Sequence, residues 1–513
     1  MSHTSSPLNR GRRDFFRQAA CSAIGVGGIV NSLTLNRLIA SGVTGFNDNS
    51  YKALVTIFLG GGNDGFNMLV PKGDPSSDDL RLDYENAREA FQLSRESLHT
   101  LNVSPTTDAF KRHYGSALPE MGVHPSCPEI ANIFNSGDLA FICNTGSLAY
   151  PILNRAEFQS GNVPKPPKLF SHSNQSSQWK SSIADKPFTS GWGGRVAELI
   201  NGSYNDPNFS KVAMSVSLVG VNAFMNGGAN ATISPYSVNK NGNLESLLGF
   251  GTDYASALDA NGNYKDTTNG QRYEAFREYL RLSRTNIHEK AYRDIMVRAL
   301  DTEAVMRGAF DAADATAVDF DAHFAGAQNS LGDQLKQIAR LIAAREHLGN
   351  SRQLFYASVG GYDTHNELLV SHAELMSELS SALNAFRNCL IELGVFDKVV
   401  SMTGSDFGRT LKGNNPQGGT GHAWGSHAIA MGGPVNGGDL YGHYPDMKMG
   451  ELGTLDVADG RGRMIPEVSV DQYAAVAANW FGVGSSELDA IFPNLGRFDD
   501  PLNSSTANMA YIG

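Results

Sequence analysis

Residues 53–59 read ALVTIFL, and Gly60-Gly61-Gly62-Asn63-Asp64 follows directly. A run of this kind, with one Thr and no charge, reads as a strand buried on both faces, the habit of a parallel sheet. Three more runs have the same character. Residues 138–143 (DLAFIC) end at Asn144-Thr145-Gly146, residues 354–359 (LFYASV) at Gly360-Gly361, and residues 398–403 (KVVSMT) at Gly404. Between the last two, Leu375, Leu379, Leu383, Phe386, Leu390 and Leu393 recur at spacings of three and four and form one apolar helical stripe that Gly394 stops. Strand, helix, strand in that order is a right-handed crossover between parallel strands. The expected fold class is α/β, a mostly parallel sheet flanked by helices.

The remaining chain suits such a core. It has 513 residues, 41% hydrophobic and 18% charged, with no long run of one charge sign, which excludes a disordered polymer. The net charge is −11, and the first 42 residues, with five Arg and one Asp, contribute +4, leaving −15 on the rest. An acidic body repels a phosphate backbone, so no nucleic-acid partner is expected. Of the four cysteines, Cys21 lies in the basic start, and Cys127, Cys143 and Cys389 sit in apolar surroundings that suit buried thiols.

The basic start has its own reading. Arg12-Arg13-Asp14-Phe15-Phe16-Arg17 precedes a mild apolar run at 19–30, too short to span a bilayer, and the stretch closes at Ala40-Ser41-Gly42. Residues 1–42 therefore resemble a twin-arginine export signal. That implies the twin-arginine translocase as a partner during export and a periplasmic or secreted destination. The route carries folded proteins, often with a cofactor already loaded. Residues 43–513 are expected as one α/β domain. Within it, 201–269 is rich in Gly, Asn and Ser and reads as an inserted cap, and 270–345 is a helical segment. In the cap, Asp259-Ala260-Asn261-Gly262-Asn263 spaces oxygen side chains around a Gly, which reads as a turn rather than a calcium loop because the distal Glu is missing.

Chemistry gathers at the strand ends. Asp64 follows the first run, Asp363 and His365 the third (GGYDTH), and Asp406 the fourth (GSDFGR). Ligands of parallel sheets bind beyond the carboxyl ends of strands, so these acids are expected on one rim. Converging carboxylates repel unless a cation sits among them. Two histidines, His422 and His427, follow in a glycine-rich loop (GGTGHAWGSH, 418–427). Imidazole with carboxylate suits zinc or manganese better than magnesium or calcium. Six ligands (Asp64, Asp363, His365, Asp406, His422, His427) suit two divalent ions, which can clamp both oxygens of an ester displacement. Arg409 is spaced to hold an anionic phosphoryl or sulfuryl group. Ser171 and Ser173 flank His172 at a helix start (LFSHSNQSSQW, 169–179) and are candidate nucleophiles or simple helix caps. Thr145 and Ser147 are rivals, and attack by water is the remaining option. His372 is expected on the solvated side of its helix.

These segments, with 53–71 (ALVTIFLGGGNDGFNMLVP), 418–442 and 462–466 (GRMIP), resemble the domain-of-unknown-function 1501 family, placed in the alkaline-phosphatase-like superfamily. The resemblance covers most of the chain. It implies an alkaline-phosphatase-like fold and a two-metal site, with Asp64 as first ligand, Asp363 and His365 in the second segment, Asp406 in the third, and a last imidazole from His422 or His427. Two departures stand out: Phe407 follows Asp406 where such sites carry His, and Gly421 precedes His422 where relatives carry Asp. The expected function is an exported metal-dependent hydrolase of phosphate or sulfate esters. Its alternative is a non-catalytic secreted or envelope protein that keeps the fold. The partner is then an anionic ester substrate or an envelope component. The sequence leaves the oligomeric state open.

Overall fold

Lys52–Leu59 (β1) lies inside the largest sheet of the computed structural model, which describes residues 50–513 apart from 105–119, 207, 209, 230, 241–253, 260, 283–285, 415–417 and 458–459. The basic segment at 1–42 lies outside the described residues. The other strands of this sheet are Leu139–Gly146 (β2), Ser215–Ser217 (β3), Tyr236–Ser237 (β4), Arg352–Val359 (β5), Val399–Ser405 (β6), Ser426–Met431 (β7), Leu440–Gly442 (β8) and Val468–Ser469 (β9). Their order is β8-β2-β7-β6-β1-β5-β3-β4, with β9 also paired to β2. β7 runs antiparallel to both neighbours, and every other pairing is parallel.

The continuous apolar run explains the central place of β1. Ala53, Val55, Ile57 and Leu59 point into one hydrophobic layer, Leu54 and Phe58 into the other, and none is more than 2% exposed. Residues two apart share a face, so only a strand apolar at every position fills both layers. Each Leu, Ile or Phe buried this way contributes roughly 1.5–3 kcal/mol.

Helices cover both faces. Asp79–Arg88 (α1), Pro128–Asn135 (α2), Ile287–Asp314 (α5), Ser330–Ala343 (α6) and Leu368–Glu392 (α7) pack on the Val55 side. His172–Ser181 (α3), Trp192–Tyr204 (α4) and Val470–Phe481 (α8) pack on the Phe58 side. The stripe foreseen on α7 is buried at Leu379, Leu383, Phe386 and Leu390, and Gly394 ends it at φ +66°. Within the stretch expected as a cap, β3 and β4 instead extend the sheet beyond β5, because Ser215–Ser217 pairs with Leu354, Phe355 and Tyr356. Asp259 closes a plain turn there, accepting from the backbone N–H groups of Asn261 and Asn263. Cys127, Cys143 and Cys389 are buried free thiols. No helix among the described residues is long and apolar enough to cross a membrane.

His372 corrects the solvent-facing expectation. It is 1% exposed, and its Nε2 lies 3.2 Å from Asn63 Oδ1. Its ring packs edge-on to that of His124, centroids 5.3 Å apart. Burial pushes the pKa of His124, His372 and His427 down to about 3. All three are neutral when folded and take up protons on unfolding below about pH 6.5, so their stabilisation is complete above that pH and is lost as pH falls toward 3. Asp471 acts oppositely: burial raises its pKa to about 7, so the folded state holds an extra proton between about pH 4 and 7. The balance of two protons, at about 1.4 kcal/mol each per pH unit, predicts a stability loss of about 3 kcal/mol between pH 6 and pH 5. Urea unfolding at the two pH values measures it. A flat profile would refute neutral burial of these rings, and His372→Gln should shallow the slope by one proton.

Candidate metal centre

Three strand ends and one helix start bring the site together. The Gly61 N–H beyond β1 donates to Asp406 Oδ2 beyond β6 at 3.0 Å, and the Gly60 carbonyl accepts from Tyr362 N at 3.3 Å. Gly61 has φ +121°, and a Cβ there would lie 2.4 Å from the Asp363 nitrogen, so only glycine lets the two loops touch. On the other side, Gly404 leaves space for the Trp179 ring of α3, which a Cβ would meet at 1.9 Å. That contact seats α3 against the end of β6 and presents His172, in its first turn, to Asp406.

The core of the site is His172, Asp363 and His422, whose ligand atoms all lie within 4.8 Å of one another. His172 Nε2 is 3.1 Å from His422 Nε2 and 3.4 Å from Asp363 Oδ2, and His422 Nε2 is 3.2 Å from Asp363 Oδ1. Ligands 2.0–2.2 Å from a tetrahedral zinc ion stand roughly 3.3 Å apart, a spacing that these contacts, shared between the two Asp363 oxygens, approach. The outer ring nitrogens fix the tautomers. His422 Nδ1 donates to the Phe170 carbonyl at 2.8 Å, and His172 Nδ1 to Asp406 Oδ2 at 2.8 Å. The Nε2 atoms of His172 and His422 face the Asp363 carboxylate, and His365, whose Nδ1 accepts from Arg409, turns its Nε2–H toward the same group. Metal-binding histidines ordinarily show this pattern, one nitrogen to the ion and the other to a carboxylate or carbonyl. Phe170 accepts that task at φ +68°, an uncommon conformation for a non-glycine residue, and such outliers concentrate at functional sites.

Electrostatics favours the deprotonated forms of Asp363 and His422. Burial works against the charge of Asp363, but the Arg409 guanidinium, with His365 and His172 beside it, holds its carboxyl below the ordinary range. Burial lowers the pKa of His422, with His172 and Arg409 adding to the effect against the Phe170 hydrogen bond. The side chains of Asp363 and His365 are 42% exposed, so the group is open to solvent on one side, as a site that exchanges ligands requires. A cavity of about 600 Å³, lined by His443, Glu467, Asp499 and Asn508 among others, lies apart from this group.

The structure thus brings together Asp363, His365, Asp406 and His422 of the expected set, in different roles. Asp406 touches His172 from behind. His365 places Nε2 2.9 Å from His422 Nε2 and 3.0 Å from Asp363 Oδ1. Asp64 is not part of the group: its Oδ2 is paired with the Arg88 guanidinium of α1, and both side chains are 0% exposed. Nor is His427, whose ring sits edge-on to Phe66 and stacked on Tyr444, with Nδ1 accepting from Asn144 N at 3.1 Å. It shares the parity of Ile429 and Met431 on β7 and so faces the Val55-side layer.

Arg409 also departs from expectation. It is fully buried, and its five N–H groups go to Thr420 Oγ1, Gly61 O, Asp363 Oδ1, Thr420 O and His365 Nδ1. No donor is left for an anion, and its effect is to aim Asp363. Ser171 and Ser173 touch Asn174, through its Nδ2 at 2.8 and 3.3 Å, and no hydrogen bond joins either hydroxyl to the ligand atoms. Phe407 packs 4.7 Å from the rings of both His172 and His422 and walls the imidazoles. His172 was not among the candidate ligands read from the sequence, although its ring nitrogen converges with those of Asp363 and His422. Its signal was a lone His in the first turn of a helix whose neighbouring serines drew attention instead.

No curated protein sequence matches the chain. Among solved structures it is similar to the PsFucS1 sulfatase from Pseudoalteromonas sp., at 11% identity and a TM-score of 0.30, over 90% of this chain and 72% of that one. Residues 51–459 match the family described as "Protein of unknown function (DUF1501)", and the chain belongs to that family.

Proposed function

We propose that this protein is an exported metal-dependent hydrolase of phosphate or sulfate esters. One observation carries the reading: two imidazole lone pairs and a carboxylate converge, each imidazole locked from behind by Asp406 or the Phe170 carbonyl. The donor set of two nitrogens and one carboxylate oxygen fits zinc or manganese. His172, Asp363 and His422 would hold such an ion, which would supply Lewis acidity toward an ester oxygen or water. The chain's own residues do the rest. Asp406 holds the His172 tautomer, Arg409 aims Asp363, and Phe407 closes one side against water. His365, half-exposed beside Asp363, is placed to exchange a proton with a bound ester or water. The N-terminus of α3, carrying His172, adds a favourable dipole for an anionic group. With neither serine hydroxyl on the ligand atoms, water is the proposed nucleophile.

The test is turnover of aryl phosphate and aryl sulfate esters by zinc- or manganese-loaded protein, compared with Asp406→Asn. Loss of the outer carboxylate should cost 10–100-fold in metal affinity or activity. A second reading, a metal-holding but non-catalytic envelope protein, draws on the saturation of Arg409. Metal retention with no turnover of either ester class would favour it. For export, the twin-arginine pattern is the support, and retention of an Arg12→Lys/Arg13→Lys variant in the cytoplasmic fraction is the check.

A further inference from the structure

We infer that the site takes one divalent ion rather than two, and that the buried Arg88 guanidinium supplies the charge Asp64 would otherwise draw from a second ion. The inference rests on the metal reading above. Three observations carry it. First, Asp64 is committed: its Oδ2 is ion-paired to Arg88, both side chains are fully buried, and Arg88 is fixed by a second bond, Nη1 to the Thr410 carbonyl at 3.3 Å. An arginine cannot deprotonate to make room for an ion, and displacing it would strand a buried charge. Second, Asp64 belongs to no group of three ligating side chains among the described residues; its remaining oxygen, Oδ1, has no hydrogen-bond partner and no such group around it. Third, the positions next to Asp406 and His422 add no ligand. Phe407 offers a ring that packs on His172 and His422, and Gly421 brings only a backbone N–H, given to Thr410 Oγ1 at 2.9 Å. His427 is turned into the Phe66 and Tyr444 rings, and His365 Nε2, 2.9 Å from His422 Nε2 and 3.0 Å from Asp363 Oδ1, joins the same cluster of ligand atoms rather than a second one.

Arg88 is thus a positioning residue: a permanent cation beneath the rim, beside a single exchangeable one above it.

The experiment is zinc stoichiometry by elemental analysis of the full chain after saturation and dialysis, with no substrate present. The expected result is one zinc per chain in the wild type. An Asp64→Asn/Arg88→Gln double variant, which removes both charges and avoids a stranded one, should also bind one zinc. His172→Ala should bind none. Two zinc ions in the wild type, falling to one in the double variant, would overturn the inference and leave the hydrolase proposal standing. No zinc in the wild type would overturn the hydrolase proposal, and this inference with it.

Discussion

Replacing His172 by Ala is expected to weaken zinc binding by about 10²–10³-fold while leaving the fold intact. Structural zinc sites are worth about 10–16 kcal/mol over four ligands, so one ligand carries roughly 3–4 kcal/mol, and each 1.4 kcal/mol is tenfold. His172 Nε2 is one of the three converging atoms, and without it Asp406 loses the ring it orients. The side chain is 36% exposed in the first turn of α3, so truncation removes little from the hydrophobic layers. Competition with a chromogenic chelator measures the affinity, and circular dichroism checks the fold. His427→Ala provides the contrast. The sequence ranked the two imidazoles the other way, yet His427 is buried against Phe66 and Tyr444, so its loss should lower stability and spare zinc affinity. Unchanged zinc binding in His172→Ala would remove the ligand assignment.

The second large effect lies beneath the rim. Arg88→Ala should destabilise the protein by about 3–5 kcal/mol, because it leaves the Asp64 carboxylate charged, buried and unpaired. Removing both charges in Asp64→Asn/Arg88→Gln should cost less than the sum of the single changes, since neither partner is then stranded. Urea unfolding of the wild type, Asp64→Asn, Arg88→Gln and the double variant closes the cycle. Additive losses would mean that the pair does not couple, and the fixed-cation account would lose its basis.

Much of the architecture was readable before any coordinates. Runs apolar at every position, such as 53–59, can be satisfied only between two layers, and their glycine-rich ends mark the rim where ligands gather. The stripe from Leu379 to Leu390 gave α7 its buried face for the same reason. Even His372 lies on that face, one turn before Met376 and two before Leu379, so its burial was legible in the helical spacing and its polarity misled. What spacing could not give is pairing across the chain. Asp406 meets a histidine 234 residues away, and Asp64 meets Arg88 from a helix whose own pattern says nothing about its target. Nor does sequence reveal saturation: Arg409 suited an anion until its buried partners accounted for every N–H. β3 falls in the alternating run at 212–221, but strands of two or three residues leave too little period to show that β3 and β4 join the main sheet rather than a separate cap.

The most direct test is a crystal of the full-length protein soaked in zinc and measured at the zinc absorption edge. The account predicts a single strong anomalous peak per chain within about 2.0–2.3 Å of His172 Nε2, His422 Nε2 and an Asp363 oxygen. A peak centred on Asp64, or no peak among the three side chains at saturating zinc, would contradict it.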